Sequence, residues 1–455
     1  MNKNDDVELY ITDVSSEGAG IGRYPADGGF VVFVNGAAAG DRVTAHIIKV
    51  KKNYAVGTVK EILEPSPDRT EPDCPYFPSC GGCTFRNITY EAELRRKLSA
   101  VKEDFSRLGG IDAEPEGIIH GERTRYRNKA EFPVREQNGR VVIGCFARRS
   151  HRVVDCRDCV IQPREFSAIV SVFRDWIARY RVPTYDETSR RGLLRHIYIR
   201  RAETTGQIMV CPVINGEVLP HDRELVSALL DAAPGIKTVV CVINREDTNV
   251  VLGEKYFAVY GDGYIYDELA GVKVRLSPLS FYQVNRNIAE KLYAKAAEYA
   301  GSAPDGVLLD LYCGAGTVGL SMAKNFGRLI GAEIVPQAVV DARVNAGLCG
   351  AGNAEFINAD AAEVAARLRD SGLEPACVVV DPPRKGLSPG LPAVIASMRP
   401  DRVVYISCDP ATLARDCAAF ALEGYAVRRV CCADMFPGTG HVETVVRLSR
   451  SDMNS

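Results

Sequence analysis

The stretch that decides the fold is Val403-Val404-Tyr405-Ile406-Ser407-Cys408-Asp409-Pro410. It is a short apolar run, rich in β-branched residues, that ends at a cysteine, and residues 411–420 then follow the pattern of a helix. A run of this length bounded by turn residues predicts a buried parallel strand. Ligands bind beyond the carboxyl ends of such strands, so Cys408 would stand at a reactive position, beside a helix N-terminus that stabilises a thiolate. A core role as a small apolar residue is the alternative for a single cysteine.

Strands and helices alternate at close spacing through residues 276–455. This alternation predicts a mainly parallel, doubly wound α/β sheet with helices between the first six strands. The predicted strands are 307–312, 328–333, 354–358, 377–381, 402–407, 425–431 and 442–448. We expect this domain to carry the chemistry, because several strands end in polar residues.

The first three of these strands end in groups that suit a nucleoside. Residues 310–316, with Tyr312, form a glycine turn that lets a ligand approach the backbone. Glu333 closes the second strand and is placed to bind ribose hydroxyls, and Asp360 follows the third strand near the expected adenine edge. The turn is not G-x-G-x-x-G, so a dinucleotide is not the natural ligand. The combination favours S-adenosyl-L-methionine.

Two further strand ends carry carboxylates. Asp381 ends the fourth strand and is followed by Pro382 and Pro383, which stop the strand and form a rigid lip. Glu443 begins the last strand, and a carboxylate in a water-poor cleft has a raised pKa and can accept a proton. His441 is a rival base.

Two domains are predicted before the catalytic one. Residues 1–66 have several short strands with glycine turns, which indicates a small OB-like barrel, and residues 67–275 are rich in strands and arginine. Residues 121–160 hold ten Lys/Arg against five Asp/Glu, and a second cluster comprises Arg190, Arg191, Arg195, Arg200 and Arg201. We interpret both as nucleic-acid contacts. A periodic apolar pattern predicts a helix over 88–108 that packs on the catalytic domain.

Three cysteines lie close together in a turn-rich segment, at Cys74, Cys80 and Cys83. Short cysteine spacings in a reduced compartment indicate metal ligation, and a tetrahedral site needs a fourth ligand. Cys156 and Cys159 are the candidates, and the spacing does not distinguish zinc from an iron–sulfur cluster.

Composition excludes several classes of protein. A chain of 455 residues, 46% of them apolar, can build two to four domains. A net charge of −2 gives no general attraction to nucleic acid, so any affinity must come from local patches. The N-terminal residues do not resemble a signal peptide and no apolar run is long enough to span a bilayer. We therefore expect a cytoplasmic protein without a membrane partner, whose fifteen cysteines are mostly reduced.

Taken together, these motifs resemble the RNA uracil-5-methyltransferases over nearly the whole chain. The resemblance runs through residues 280–285, 310–316, 381–384, 407–410 and 441–444. The N-terminal barrel is similar to the TRAM module, an RNA-binding barrel. Asp409 stands where the family more often has asparagine, and Val160 follows Cys159 where proline is usual.

The resemblance implies roles for particular residues. Cys408 is the expected nucleophile and Glu443 the expected base. The expected contacts with S-adenosyl-L-methionine are Gln283, Tyr312, Glu333, Asp360 and Asp381. The family's [4Fe–4S] ligands match Cys74, Cys80, Cys83 and Cys159.

The resemblance also indicates the substrate and the assembly. The barrel and the cluster together resemble members that act on large-subunit ribosomal RNA more than those that act on transfer RNA. We expect a monomer that methylates uridine C5 in RNA, with 23S rRNA favoured. Transfer RNA is the alternative substrate, and an N-methyltransferase using residues 381–384 is a second alternative.

Overall fold

The computed structural model describes residues 1–25 and 28–451. These form two compact units. Unit 1 comprises Met1–Ser99, Cys145–Val154 and Phe436–His441, and unit 2 comprises Ala100–Gly144, Asp155–Met435 and Val442–Ser455. Residues 26–27 of the first predicted domain and 452–455 of the third lie outside the described residues.

A small closed barrel forms the N-terminal part of unit 1. Its strands are β1 (Asp6–Val14), β2 (Ala19–Tyr24), β3 (Phe30–Asn35), β4 (Arg42–Val50) and β5 (Tyr54–Glu64). They close in the order β1-β2-β3-β5-β4. Alternate residues of β1 are buried, as the period of a strand requires, and aliphatic side chains fill the barrel interior. The expected OB-like barrel is confirmed.

One barrel strand was not predicted. Residues 15–22 have the composition of a turn, yet β2 begins at Ala19 and includes the last four of them. The glycines here serve close packing, because a Cβ on Gly20 would lie 2.8 Å from the Cβ of Ala37 and 2.9 Å from Ile11. Glycine inside a strand often marks a close approach of the backbone to a neighbouring element. Composition alone does not distinguish such a strand from a turn.

A long helix, α1 (Tyr90–Gly109), follows the barrel. Its bounds agree with the predicted periodic pattern, and Val101 and Phe105 are each 1% exposed. The C-terminal half belongs to unit 2, where a Cβ on Gly109 would meet the carbonyl oxygen of Ala414 at 3.1 Å. The end of the helix at Gly109 therefore lies close to the backbone at Ala414 within unit 2.

The first part of unit 2 is built on a mostly antiparallel sheet, and the parts of β8 and β9 that fall within residues 145–154 are assigned to unit 1. Its elements in chain order are β6 (Ile118–Ile119), β7 (Lys129–Gln137), β8 (Arg140–Phe146), β9 (Val153–Asp155), α2 (Arg164–Tyr180), β10 (Leu194–Arg201), β11 (Ile208–Ile214), α3 (Asp222–Ala232), β12 (Ile236–Ile243), β13 (Lys255–Tyr260), β14 (Ile265–Leu269) and β15 (Val272–Leu276). The sheet order is β13-β12-β11-β10-β7-β8-β9, with β14 and β15 forming a separate pair. The apolar faces of α2 and α3 share one core with the central strands.

The arginines of β10 are largely internal, which corrects part of the nucleic-acid interpretation. Arg195 is 4% exposed, lies 4.4 Å from the Tyr185 ring centroid and donates to the carbonyl oxygens of Asn244 and Glu246 at 2.8 Å. Arg200 is 3% exposed. Buried guanidinium groups with protein partners cannot clamp an RNA backbone, so these two arginines stabilise the sheet.

The second part of unit 2 is the doubly wound sheet. Its elements are α4 (Arg286–Ala300), β16 (Ala303–Leu311), α5 (Thr317–Met322), β17 (Phe326–Glu333), α6 (Pro336–Cys349), β18 (Ala354–Asn358), α7 (Ala361–Asp370), β19 (Cys377–Val380), α8 (Leu391–Ser397), β20 (Arg402–Ser407), α9 (Pro410–Leu422), β21 (Tyr425–Ala433) and β22 (Glu443–Arg450). The order is β18-β17-β16-β19-β20-β22-β21-β6.

Five of these strands, β16 to β20, are parallel, and β22 runs antiparallel between β20 and β21. The carboxyl ends of the parallel strands therefore share one edge with the start of β22. The predicted fold class, a doubly wound methyltransferase sheet preceded by a barrel and a β-rich region, is confirmed. The exact domain boundaries remain predictions. Within the described part of the chain, every helix is too short or too polar to cross a bilayer.

Candidate active site

The two strands β20 and β22 bring Cys408 and Glu443 together. Their register pairs Ser407 with Thr444, so Cys408 and Glu443 are the next residues outward on the two strands. β20 ends at Ser407, one residue before Cys408, and the charge of Glu443 raises the pKa of Cys408, so the two side chains lie close together. Cys408 is partly exposed and Glu443 is 7% exposed. A thiol and a carboxyl group thus meet at the carboxyl edge of the sheet.

The electrostatics identify two more members of this site. Burial raises the pKa of Cys408 to about 11, and the negative charges of Glu443 and Asp381 act in the same direction while Arg384 opposes them. Burial, reinforced by Asp381 and opposed by Arg384, also raises the pKa of Glu443 to about 8. Cys408, Glu443, Asp381 and Arg384 therefore share one electrostatic environment.

The expectation that the helix after Cys408 stabilises a thiolate is wrong for this structure. The first turn of α9 is capped by Asp409, whose side chain accepts a hydrogen bond from the backbone N–H of Thr412 at 3.0 Å. The N-terminus of α9 therefore binds the Asp409 carboxylate. Burial beside acidic groups raises the pKa of the Cys408 thiol. Asp409 fills the capping role that an asparagine would also perform.

The glycine turn after β16 is held by two carboxylates. Asp310 is 1% exposed and its Oδ2 accepts the backbone N–H of Gly319 at 2.9 Å. Burial raises the pKa of Asp310 to about 8. Glu333 accepts the backbone N–H groups of Gly314 at 3.1 Å and Val335 at 2.8 Å. These bonds fix the loop and the Glu333 carboxylate relative to each other.

The other predicted cofactor residues border the same edge. Tyr312 is partly buried and has a positive φ of 69°. Burial raises its pKa, and the charge of Asp360 contributes in the same direction. Asp360 is exposed and caps α7 by accepting the N–H of Ala362 at 2.9 Å. Burial raises the pKa of Asp381 to about 7. Tyr312 and Asp360 therefore lie near each other at the rim.

Gln283 is positioned by a residue outside the doubly wound sheet. Asn128, 1% exposed, donates its side-chain amide to the carbonyl oxygen of Gln283 and its backbone N–H to that of Val284, both at 2.9 Å. On the other side, the Asn285 side chain caps α4 and donates to the carbonyl oxygen of Met435 at 3.2 Å. The segment 283–285 is therefore fixed from both ends.

Sequence reasoning missed Tyr293. This residue is 2% exposed on α4, and its hydroxyl lies 3.5 Å from the Thr317 Oγ1 and hydrogen-bonds to the Gln283 side chain. Burial raises its pKa, and the charge of Asp381 contributes. Tyr293 thus links Gln283 to the strand ends. No sequence signal distinguishes it, because a tyrosine on the apolar face of a helix is usually a core residue.

The cysteines of the predicted cluster fall in both units. Cys74, Cys80 and Cys83 are partly buried in unit 1, where Cys80 and Cys145 hydrogen-bond to each other. Burial raises the pKa of Cys83, and its neighbours Cys80 and Cys74 contribute. Cys159 belongs to unit 2. Over residues 1–25 and 28–451, no three His, Cys, Asp or Glu side chains form a ready metal site. The cluster and its fourth ligand remain predictions.

Comparison with known proteins identifies the family. The model of the tRNA (uracil-5-)-methyltransferase family matches residues 89–451, and the TRAM domain model matches residues 3–60. An uncharacterised RNA methyltransferase of Clostridium tetani is 40% identical over 450 residues, covering 99% of this chain and 97% of the relative. One from Caldanaerobacter subterraneus is 39% identical over 454 residues, covering 99% and 100%.

A solved structure has the same architecture. The Pyrococcus abyssi tRNA (uracil-54, C5)-methyltransferase in complex with S-adenosyl-L-homocysteine superposes with a TM-score of 0.78 at 24% identity. The match covers 97% of this chain and 99% of that one, and it shows the common fold. The sequence-based recognition is confirmed: the chain belongs to the RNA uracil-5-methyltransferase family, whose members take the methyl group from S-adenosyl-L-methionine.

Proposed function

We propose that this enzyme forms 5-methyluridine in RNA through a covalent adduct between Cys408 and uracil C6, with Glu443 as the base. The observation that supports the proposal is that the Cys408 thiol, just beyond the end of β20, lies close enough to the nearly buried Glu443 at the start of β22 for the Glu443 charge to raise its pKa. A target base inside a folded RNA must leave its stack to reach such an edge. The arrangement then offers groups for addition and for proton removal.

The chemistry requires both groups. Uracil C5 is a poor nucleophile until sulfur adds to C6, which moves the C5–C6 π electrons into an enolate. Bound S-adenosyl-L-methionine supplies a methyl group on a positively charged sulfur. After C5 has taken the methyl group, Glu443 removes the C5 proton in its ionised form, which burial makes the minor form below about pH 8. The electrons of that C–H bond restore the double bond, the C6–S bond breaks, and Cys408 leaves as a thiolate.

Gln283, Tyr312, Glu333, Asp360 and Asp381 are the residues that we propose for methyl-donor binding. Glu333 suits the ribose hydroxyls, because it is fixed at the end of β17 by two backbone N–H groups. Asp381 suits the rim between donor and uracil, because its charge acts on both Cys408 and Glu443. This division of roles keeps the donor beside the glycine turn and the base beside β20 and β22.

Asn128→Ala is expected to weaken S-adenosyl-L-methionine binding without removing the nucleophile or the base. The change leaves the carbonyl oxygen of Gln283 without its 2.9 Å donor, a loss of about 1–3 kcal/mol when the group stays buried. Isothermal titration with the methyl donor measures the effect, and Asn138→Gly at an exposed turn is the matched control. Unchanged donor affinity in Asn128→Ala would contradict a positioning role.

Large-subunit ribosomal RNA is the substrate that we favour, and an in vitro reaction tests it. Labelled S-adenosyl-L-methionine is incubated with 23S rRNA and tRNA transcripts, and the products are digested to nucleosides. We expect 5-methyluridine in the 23S rRNA fragments. Label in tRNA alone would support the second candidate, which the likeness to the Pyrococcus abyssi enzyme favours. Label on a nitrogen atom would support an N-methyltransferase, a reaction that leaves the pairing of Cys408 and Glu443 unexplained.

We also propose that Cys74, Cys80, Cys83 and Cys159 hold a [4Fe–4S] cluster. The donor set is chemically suitable, because it consists of thiols alone, and Cys74 and Cys80 lie close enough to Cys83 to raise its pKa. The cluster has no evident redox task in uracil methylation, so we expect it to stabilise the fold around these cysteines. We further expect the enzyme to act as a cytoplasmic monomer.

Cys80→Ser is expected to lower both the iron content and the thermal stability of the protein. A structural metal site contributes its binding free energy to folding, so a missing ligand destabilises the fold. Iron and sulfide analysis of anaerobically purified protein, together with thermal unfolding, measures both properties. Cys211→Ser, at a buried cysteine outside the proposed set, reports the cost of a core thiol alone. A Cys80→Ser protein with full iron content and normal RNA binding would argue against the cluster assignment.

A further inference from the structure

A cavity of about 410 Å³ in unit 2 has no role in the chemistry described above. One wall is the segment that contains Thr124 and Tyr126, and the other is the first turns of α4 with Asn287, Ile288 and Lys291. The lining also includes Gly121, Glu122, Arg125, Glu203 and Asn285. The volume falls within the range of pockets that hold small organic ligands, roughly 300–1,000 Å³.

The wall chemistry is that of a nucleotide pocket. Tyr126 and Ile288 give the cavity a limited apolar surface, and most of the remaining lining is polar. Glu203 can accept hydrogen bonds from an exocyclic amino group, and the amide of Asn287 can both donate and accept. Lys291 is exposed, and its Nζ donates to the carbonyl oxygen of His120 at a long 3.4 Å, so its charge remains available to a phosphate. Single-stranded RNA is recognised by this mixture of edge contacts and aromatic surface.

The cavity shares its framework with the proposed methyl-transfer site. Asn285 lines it, and Gln283 lies two residues earlier, within about 7 Å along the chain. Asn128, two residues after Tyr126, bonds to both Gln283 and Val284. The two walls of the cavity are thus joined through the segment that carries Gln283. A group bound in the cavity would be held at a fixed offset from the proposed methyl donor.

We propose that this cavity binds an unstacked nucleotide of the substrate RNA that neighbours the target uridine. Glu203 and Asn287 contact the edge of its base, and Lys291 contacts its phosphate. The inference rests on the proposed function, because it requires an RNA substrate. It adds a specificity element: the enzyme reads a flanking nucleotide as well as the uridine that it methylates.

Two substitutions at exposed positions, Lys291→Gln and Asn287→Ala, test the proposal without disturbing the core. The RNA is a transcript that the wild-type enzyme methylates. We expect each change to raise KM for this transcript by about tenfold, the size of one lost contact, with little change in kcat or in donor affinity. Lys324→Gln, which removes one exposed positive charge elsewhere in unit 2, is the matched control and should behave as the wild type.

Abasic substitutions in the same transcript identify the bound nucleotide. We expect one position next to the target uridine at which removal of the base raises KM for the wild-type enzyme. At that position the same removal should change KM little for Asn287→Ala, because this variant has already lost its contact with the base. Additive losses at every flanking position, or wild-type KM in both variants, would overturn the inference while leaving uridine methylation intact. A wild-type enzyme that forms no 5-methyluridine would overturn the proposed function and this inference together. In another outcome, free nucleoside monophosphates bind in a way that requires Lys291 while KM for the transcript is unchanged in the variants. That result would assign the cavity to a small ligand and would also overturn the inference.

Discussion

Cys408→Ala is expected to abolish uridine methylation, with a loss in single-turnover rate of about 10³-fold or more. The alanine protein retains the donor site and the Glu443 carboxyl group, but it has no sulfur to add to uracil C6. Without that adduct C5 has too little electron density to attack the sulfonium methyl group. The loss should therefore appear in the chemical step, while affinities for RNA and for S-adenosyl-L-methionine stay close to those of the wild type.

The control for this experiment is another cysteine of the same unit. Cys349 is exposed at the end of α6, and we expect Cys349→Ala to methylate RNA at the wild-type rate. Transfer of a tritiated methyl group to a transcript, with separate binding isotherms for RNA and donor, measures both proteins. Substantial activity in Cys408→Ala would remove covalent catalysis from the mechanism and would revive the N-methyltransferase alternative.

The protonation state of Cys408 adds a requirement that substrate binding must meet. With its pKa raised to about 11, the Cys408 thiol is protonated at neutral pH. Burial and the charges of Glu443 and Asp381 are the causes, and Arg384 is the opposing charge. Adduct formation therefore depends on changes that favour the thiolate when RNA and the cationic donor bind, since a positive sulfonium lowers the pKa of a nearby thiol.

Local sequence patterns were sufficient for the sheet but not for the pairing at its edge. Runs such as residues 402–407 are apolar and β-branched, so the seven strands from β16 to β22 could each be predicted from their own residues, whereas the two-residue β6 that pairs with β21 was not predicted. The insertion of β22 between β20 and β21 depends on long-range pairing across more than thirty residues. From residues alone Glu443 was a candidate base with His441 as its rival, and only the resemblance favoured Glu443 over His441.

Burial and specific partners explain the remaining differences from the sequence. The pattern around Cys408 predicted a helix N-terminus that favours a thiolate, but the Asp409 side chain caps that helix and the site is desolvated. The arginine-rich sequence around Arg195 and Arg200 predicted an RNA-binding surface, yet both side chains are buried in β10. The role of Asn128 could not be predicted, because its hydrogen bond to Gln283 joins two segments that lie more than 150 residues apart in the sequence. Composition predicts which groups are present, while packing decides which of them face solvent.

Glu443→Gln is expected to accumulate a covalent protein–RNA complex. Glutamine preserves the shape of the side chain but cannot take the C5 proton, so the methylated adduct cannot eliminate Cys408. Incubation with S-adenosyl-L-methionine and a labelled transcript should give an RNA-linked band on a denaturing gel. The band should be absent from Cys408→Ala/Glu443→Gln, and Glu423→Gln, at an exposed glutamate after α9, should turn over as the wild type does.

The same substitution has a predicted effect on stability that is independent of turnover. Burial raises the pKa of Glu443 from an ordinary value of 4.5 to about 8, so the folded state holds its proton more tightly than the unfolded state does. The stability of the wild type relative to Glu443→Gln should therefore fall as the pH rises from about 4.5 to about 8. Denaturant unfolding of both proteins at several pH values measures this difference.

These two readouts of Glu443→Gln separate the possible roles of the carboxyl group. A base that lies buried beside Asp381 must give both the trapped adduct and the pH-dependent difference in stability. The stability difference without a trapped adduct would mean that Glu443 is only a buried carboxyl group and that another residue, such as His441, takes the proton. A trapped adduct without the stability difference would mean that the carboxyl group is hydrated when RNA is absent. The proposed mechanism requires the adduct in either case, because the adduct is the step that uses both the Cys408 thiol and the Glu443 carboxyl group that lies close to it.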